Sequence, residues 1–133
     1  MKYFIGIDLG TSSVKVILLD SNGQVVSSVT KDYPLYFPHD GWSEQNPEDW
    51  YNEAISALGE LLEGKEKENV VSISFSGQMH GLVMLDKNDN VIRPAILWND
   101  SRSFKETDSL NKDKNFLLDS MVINLILTFS FSF

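Results

Sequence analysis

Cysteine is missing from all 133 residues, which excludes a disulfide framework and any thiolate metal site. Positive charge is scarce. Eleven lysines and arginines stand against nineteen aspartates and glutamates, a net charge of −8, which argues against nucleic acid or an anionic membrane as the main partner. There is no leader-like start: Met1-Lys2-Tyr3 runs into a short strand and meets Asp8 at once, with no small-residue cleavage site. The chain therefore reads as cytoplasmic. No internal repeat is visible. The apolar stretch over residues 120–133 falls short of the ~20 residues that span a bilayer. It is also interrupted by Asn124, Thr128, Ser130 and Ser132. What is present is one domain's length of chain, 42% hydrophobic, enough to bury a core.

The chain is organised around its first twenty residues. Tyr3 to Leu9 is almost wholly apolar, as expected of a strand buried on both faces. Residues 14–19 are rich in β-branched side chains and stop at the turn cluster Asp20-Ser21-Asn22-Gly23. Between them lies Asp8-Leu9-Gly10-Thr11-Ser12-Ser13. A glycine lets backbone approach a ligand closely, and the hydroxyls of Thr11, Ser12 and Ser13, with the turn N–H groups, can form a concave set of donors for phosphate oxygens. A carboxylate there would repel phosphate unless a divalent cation lay between, so Asp8 reads as a Mg²⁺ holder, directly or through water. The plainer alternative is a hairpin turn in which Asp8 bonds its own backbone. Lys15 is either a phosphate contact or a solvated residue, since Val14 and Val16 point to the opposite face.

The rest of the pattern is α/β. Residues 24–31 read as a third strand, closing an antiparallel meander. Residues 32–45, with Pro34, Pro38 and Gly41, read as an ordered surface loop in which His39 is a surface residue. Asn46-Pro47-Glu48-Asp49 opens a helix whose apolar face is Trp50, Ala54, Ile55, Leu58, Leu61 and Leu62, stopping near Gly64. Residues 65–68 read as a solvated turn. Residues 69–76 form a fourth strand, which the intervening helix makes parallel to the first. A polar loop, Gly77-Gln78-Met79-His80-Gly81, follows, then a hairpin over residues 82–92 and an apolar run ending at Trp98. Residues 103–110 suit a helix.

Ile5-Gly6-Ile7-Asp8-Leu9-Gly10-Thr11-Ser12-Ser13-Val14-Lys15 resembles the first phosphate loop of the actin-like ATPase superfamily, and within it the FGGY sugar kinases. Gly41-Trp42-Ser43-Glu44-Gln45-Asn46-Pro47 resembles the segment before that family's first long helix. Ser76-Gly77-Gln78-Met79-His80-Gly81 resembles the sugar-contacting loop of its xylulose kinases, and residues 93–102 resemble the strand that follows. The Arg-Glu pair of the related glycerol kinases is missing. The resemblance implies a ribonuclease-H-like domain with a mixed sheet, ATP and Mg²⁺, and phosphoryl transfer to the 5-hydroxyl of D-xylulose or a related ketose. It leaves a homodimer open for full-length relatives.

Residue by residue, the resemblance implies Asp8 as the catalytic and Mg²⁺-holding acid. It puts Gly10, Thr11, Ser12, Ser13 and Lys15 on the ATP phosphates, and Gln78, Met79, His80, Trp98, Asn99, Asp100 and Arg102 on the sugar. The residues have their own chemistry. His80 can both donate to and accept from a hydroxyl, and Met79 can pack on sugar carbons. Trp98 reads as core with its polar tip near the cleft. Asn99, Asp100 and Arg102 follow a strand end, where open α/β sheets bind ligands; the alternative is a turn closed by an Asp–Arg ion pair. The resemblance fades after about residue 110. Residues 1–115 are therefore expected to be part of an FGGY N-terminal domain. Residues 116–133, with their Phe-Ser-Phe-Ser-Phe alternation, are expected to be an atypical tail, out of frame or prematurely ended. With the second domain and its aspartate base expected to be absent, the chain is expected to be inactive alone. A non-catalytic sugar- or partner-binding module, or a decayed fragment, is the alternative.

Overall fold

Turn chemistry sets the first three strands. Asp20 Oδ1 accepts the N–H groups of Asn22 (2.8 Å) and Gln24 (2.9 Å), and Gly23 supplies the left-handed residue at φ 76°. The chain reverses there, and β2 (Ser13–Asp20) pairs antiparallel with β3 (Val25–Asp32). β1 (Tyr3–Leu9) pairs antiparallel with β2, with Asp8 opposite Lys15. The structure, a computed structural model, describes residues 2–112. The expected tail at 116–133 lies outside the described residues.

The described residues fall into two units, one of residues 2–34 with Pro47–Gln78, the other of Leu35–Asn46 with residues 79–112. In the first, α1 (Pro47–Leu61) leads through a short 3₁₀ turn (Lys67–Asn69) to β5 (Val70–Gly77), which pairs parallel with β1. Sheet order is β3-β2-β1-β5, the mixed sheet expected from a meander followed by a crossover. Helix α1 packs over β2 and β3. Between them Ile5, Ile7, Val14, Val16, Leu18, Ala57 and Leu61 make the core. Leu18 and Leu61 are fully buried, each worth roughly 1.5–3 kcal/mol of transfer free energy.

Two expectations fail here for reasons of packing. β1 is not buried on both faces: Ile5 and Ile7 are, but Phe4 is 38% exposed and Asp8 is exposed. Strict alternation puts Phe4, Gly6 and Asp8 on the face opposite α1, where among the described residues no layer covers them. On α1, Ile55 is half exposed and Ala57 takes a buried place instead, because close contact with β2 and β3 favours the small side chain.

The second unit is built on short pairings. β4 (Glu44–Gln45) pairs antiparallel with β6 (Ala95–Ile96), and single bridges join Tyr36 to Glu44 and Leu82 to Ile96. The expected surface loop thus ends in a buried strand: Ser43, Glu44 and Gln45 are all under 9% exposed. The hairpin expected over residues 82–92 is a turn held by the Leu85–Val91 bridge and by Asp86, which accepts the N–H groups of Asn88 and Asn90, without a ladder. α2 (Phe104–Lys112) follows as expected.

Candidate functional site

In the first unit, the sheet face opposite α1 carries the polar residues. Asp8 sits at the end of β1, opposite Lys15 on β2 and opposite Ser76 on β5. Asp8, Lys15, Ser74 and Ser76, with Gly6 and Ile17, line an open cavity of about 360 Å³. Although their backbones are direct neighbours, Asp8 and Lys15 form no ion pair with each other or with any described residue. An acid and a base left apart over an open cavity can serve an anion and its counter-cation.

The β1–β2 turn stands at the end of this face. The N–H of Gly10 donates to Ser13 O (2.9 Å), so Gly10 closes the turn rather than offering its amide outward. A methyl group on Gly10 would come within 3.1 Å of that same oxygen, so the close approach this glycine permits is to its own turn. Ser12 is exposed, and Thr11 and Ser13 are part-buried. Tyr33, which sequence reasoning passed over, lies beneath the turn: its one hydroxyl hydrogen is shared between the carbonyls of Gly10 and Ser13, and its N–H donates to Ser12 O at 3.1 Å. Burial, and then the Asp8 charge, push the Tyr33 hydroxyl up to about 12. The N–H of Gln78 donates to Leu9 O at 2.7 Å, fixing the end of β5 to the end of β1.

In the second unit the expected sugar residues divide. Met79 is 69% exposed, and His80 is exposed and held at φ 65°, a left-handed conformation unusual for a residue with a side chain. Trp98 is not core: it is 49% exposed. Asn99 lines an open pocket of about 390 Å³ with Phe37, His39, Trp42 and Ser43.

Asp100 and Arg102 are committed to each other. Asp100 is 4% exposed and accepts from Ser43 N (2.7 Å), Arg102 N (2.9 Å), Arg102 Nε (2.8 Å) and Arg102 Nη2 (2.7 Å). Burial opposes its charge, but the Arg102 side chain and these N–H groups outweigh it and hold the carboxyl below its ordinary range. Arg102 also bonds Glu44 Oε1 (2.8 Å) and lies 3.7 Å from the Trp42 ring centroid; Arg93 reaches the same Glu44 oxygen at 3.0 Å. The ion-pair alternative is what the structure contains. Glu44 and Trp42 are the partners sequence reasoning missed, and the sequence signal was an acid and an aromatic placed just before the helix.

A Mg²⁺ ion fits the first unit on chemical grounds. Among the described residues no group of three or more His, Cys, Asp or Glu side chains could cage a metal. Mg²⁺ is ordinarily held by one or two carboxylates together with phosphate oxygens and water, which a single open carboxylate beside a hydroxyl-rich turn provides.

Comparison with known proteins decides the family. Residues 3–131 match the model for the N-terminal domain of the FGGY family of carbohydrate kinases. The chain belongs to that family. It is 54% identical over 105 residues to the xylulose kinase of Bacillus subtilis, which covers 77% of this chain and 21% of that protein. Its fold matches the ligand-bound xylulose kinase of Lactobacillus acidophilus with a TM-score of 0.82 at 31% identity, over 90% of this chain and 24% of that one. The gluconate kinase of the same organism matches nearly as well, with a TM-score of 0.81 at 31% identity over 89% and 24%. The chain thus spans about a fifth to a quarter of the length of these relatives. The α/β, ribonuclease-H-like architecture expected from the sequence is the one it shares with these sugar kinases. Among the described residues, no helix is long and apolar enough to cross a membrane.

Proposed function

We propose that this FGGY N-terminal segment supplies the phosphate-holding wall of an ATP-dependent kinase acting on D-xylulose or a related ketose, within the cytoplasm. The observation that carries the reading is the unpaired Asp8 and Lys15 over one cavity beside the Gly10–Ser13 turn. In this reading Lys15 and the hydroxyls of Thr11, Ser12 and Ser13 hold phosphate oxygens, and Asp8 holds Mg²⁺. The bound ion would neutralise phosphate charge during transfer. Exposed Met79 and His80 suit a polyol: the imidazole exchanges hydrogen bonds with hydroxyls while the thioether packs on carbon. Trp98, exposed rather than buried, is proposed for the same sugar set. Gln78 and Asn99 complete the proposed sugar set, with Asp100 and Arg102 acting through the rigidity they give their turn.

D-xylulose is preferred on the Met79-His80 loop and on the identity to xylulose kinases. Nearly equal structural similarity to a gluconate kinase makes the choice of sugar the point to test. We further propose that the 133 residues alone do not turn over. Asp100, the one carboxylate in the proposed sugar set, has both oxygens occupied, which leaves it poorly placed to take the proton of a sugar hydroxyl. A coupled assay of ADP release with D-xylulose, D-gluconate or no sugar tests both points, with a full-length xylulose kinase as control. Release driven by D-xylulose from the chain alone contradicts the second. In a full-length enzyme carrying these residues, preference for gluconate contradicts the first.

A further inference from the structure

The carbonyl oxygens of the β1–β2 turn are a problem for any anion-binding loop. A carbonyl turned toward a phosphate repels it, so a loop that presents donors must also turn its acceptors away. In this chain Tyr33 reaches three of those acceptors: its N–H donates to Ser12 O, and its one hydroxyl hydrogen is shared between Gly10 O and Ser13 O. The topology delivers it. Asp32, the last residue of β3, pairs with Ser13, the first of β2, so the next residue of the chain arrives beneath the turn. Ser13 O accepts the Gly10 N–H at 2.9 Å and lies 2.9 Å from the Tyr33 hydroxyl, whose one hydrogen it shares with Gly10 O.

We infer that Tyr33 is a positioning residue for the phosphate loop: its hydroxyl and N–H hold the turn's carbonyls inward so that the opposite side of the turn faces the anion. This rests on the phosphate reading proposed above. Tyr33 does not touch the ligand; it acts through residues 10–13. The ring is 6% exposed and packs in the core of the first unit, so the clamp is anchored to the sheet rather than to another loop. Burial, and then the Asp8 charge, favour the neutral, donating form of the hydroxyl.

Tyr33→Phe removes the hydroxyl and keeps the ring. The purified 133-residue chain and this variant are compared by backbone hydrogen exchange and by NMR titration with Mg-ATP. Loss of about one hydrogen bond should weaken Mg-ATP binding roughly 2- to 12-fold. Exchange at residues 11–13 should speed up, while Ile5, Ile7 and Val16 in the sheet keep their protection. Equal Mg-ATP affinity in the two proteins overturns the positioning role and leaves the phosphate reading standing. Faster exchange spread equally through Ile5, Ile7 and Val16 overturns it too, because the hydroxyl would then be supporting the core at large. If the wild-type chain shows no response to Mg-ATP, the phosphate reading falls, and the inference with it. Tyr33→Leu, which also removes the ring, should destabilise the sheet as well as the loop; an effect no larger than that of Tyr33→Phe would show that the ring anchors nothing and overturn the clamp.

Discussion

Asp8 and Asp100 both stand just past apolar strand residues, and their surroundings are opposite. Asp8 is exposed, with a neighbouring lysine that does not pair with it. Asp100 is 4% exposed and accepts from two backbone N–H groups and the Arg102 guanidinium. An acid kept for a ligand is left unsatisfied by the protein and must stay solvated until the ligand comes. An acid kept for structure is buried only because its lone pairs are filled. On the reading proposed above, the same residue type carries different jobs in the two units, and substitutions should separate them.

The largest expected effect is on turnover. In a full-length kinase carrying these residues, Asp8→Asn should lower kcat by roughly 10²- to 10³-fold, the scale for removing one preorganised electrostatic group. The melting temperature should hardly move. Next comes stability. Asp100→Ala leaves Arg102 and the Ser43 N–H without their acceptor and should cost about 3–5 kcal/mol, the usual scale for breaking a buried pair, read from urea unfolding. An Asp100 variant as stable as wild type would erase the contrast with Asp8.

Acid should act on the second unit through the same carboxylate. Asp100 is held below its ordinary range in the folded state, so the stability it contributes is fully present above the unfolded value of about 3.9. It is lost as pH falls from there through the lower folded value. Unfolding midpoints followed from pH 7 downward should therefore drop more gently in Asp100→Asn than in wild type, the variant being weaker throughout.

The smallest effect concerns the sugar. His80→Ala in the full-length context should raise the KM for D-xylulose by roughly 2- to 12-fold, one hydrogen bond to a neutral hydroxyl, and leave the KM for ATP unchanged. Equal changes in both would point to general loss of structure around its left-handed backbone.

What the sequence made legible follows from how local each signal is. The turn at Asn22-Gly23, the helix start at Pro47 and the parallel return of β5 rest on single residues or on chain connectivity, and all three are in the structure. The apolar letters of β1 could not reveal that Phe4 faces away from α1, because that depends on which layers lie beside the strand. Trp98 reads in the sequence as core with its polar tip near the cleft, whereas in the structure it is half exposed and Leu97 beside it takes the buried place. Asp8 stands out in the sequence because an acid, a glycine and hydroxyls crowd into six residues, and its ligand role is a proposal that the structure leaves open to test. Tyr33 does not stand out, since its bonds to the turn exist only once β3 has folded back along β2. The same is true of Glu44 and Trp42, which meet Arg102 from nearly sixty positions away in the chain.

Titration of the purified chain with Mg-ATP, set beside the Asp8→Asn variant and followed by NMR, tests the central claim most directly. The account predicts shifts confined to β1, the Gly10–Ser13 turn and Lys15 in the wild-type chain. In Asp8→Asn they should be lost or moved to at least tenfold higher concentration, with an unchanged fold. Equal affinity in the two proteins, or shifts that bypass the turn and gather around Asp100, would contradict it.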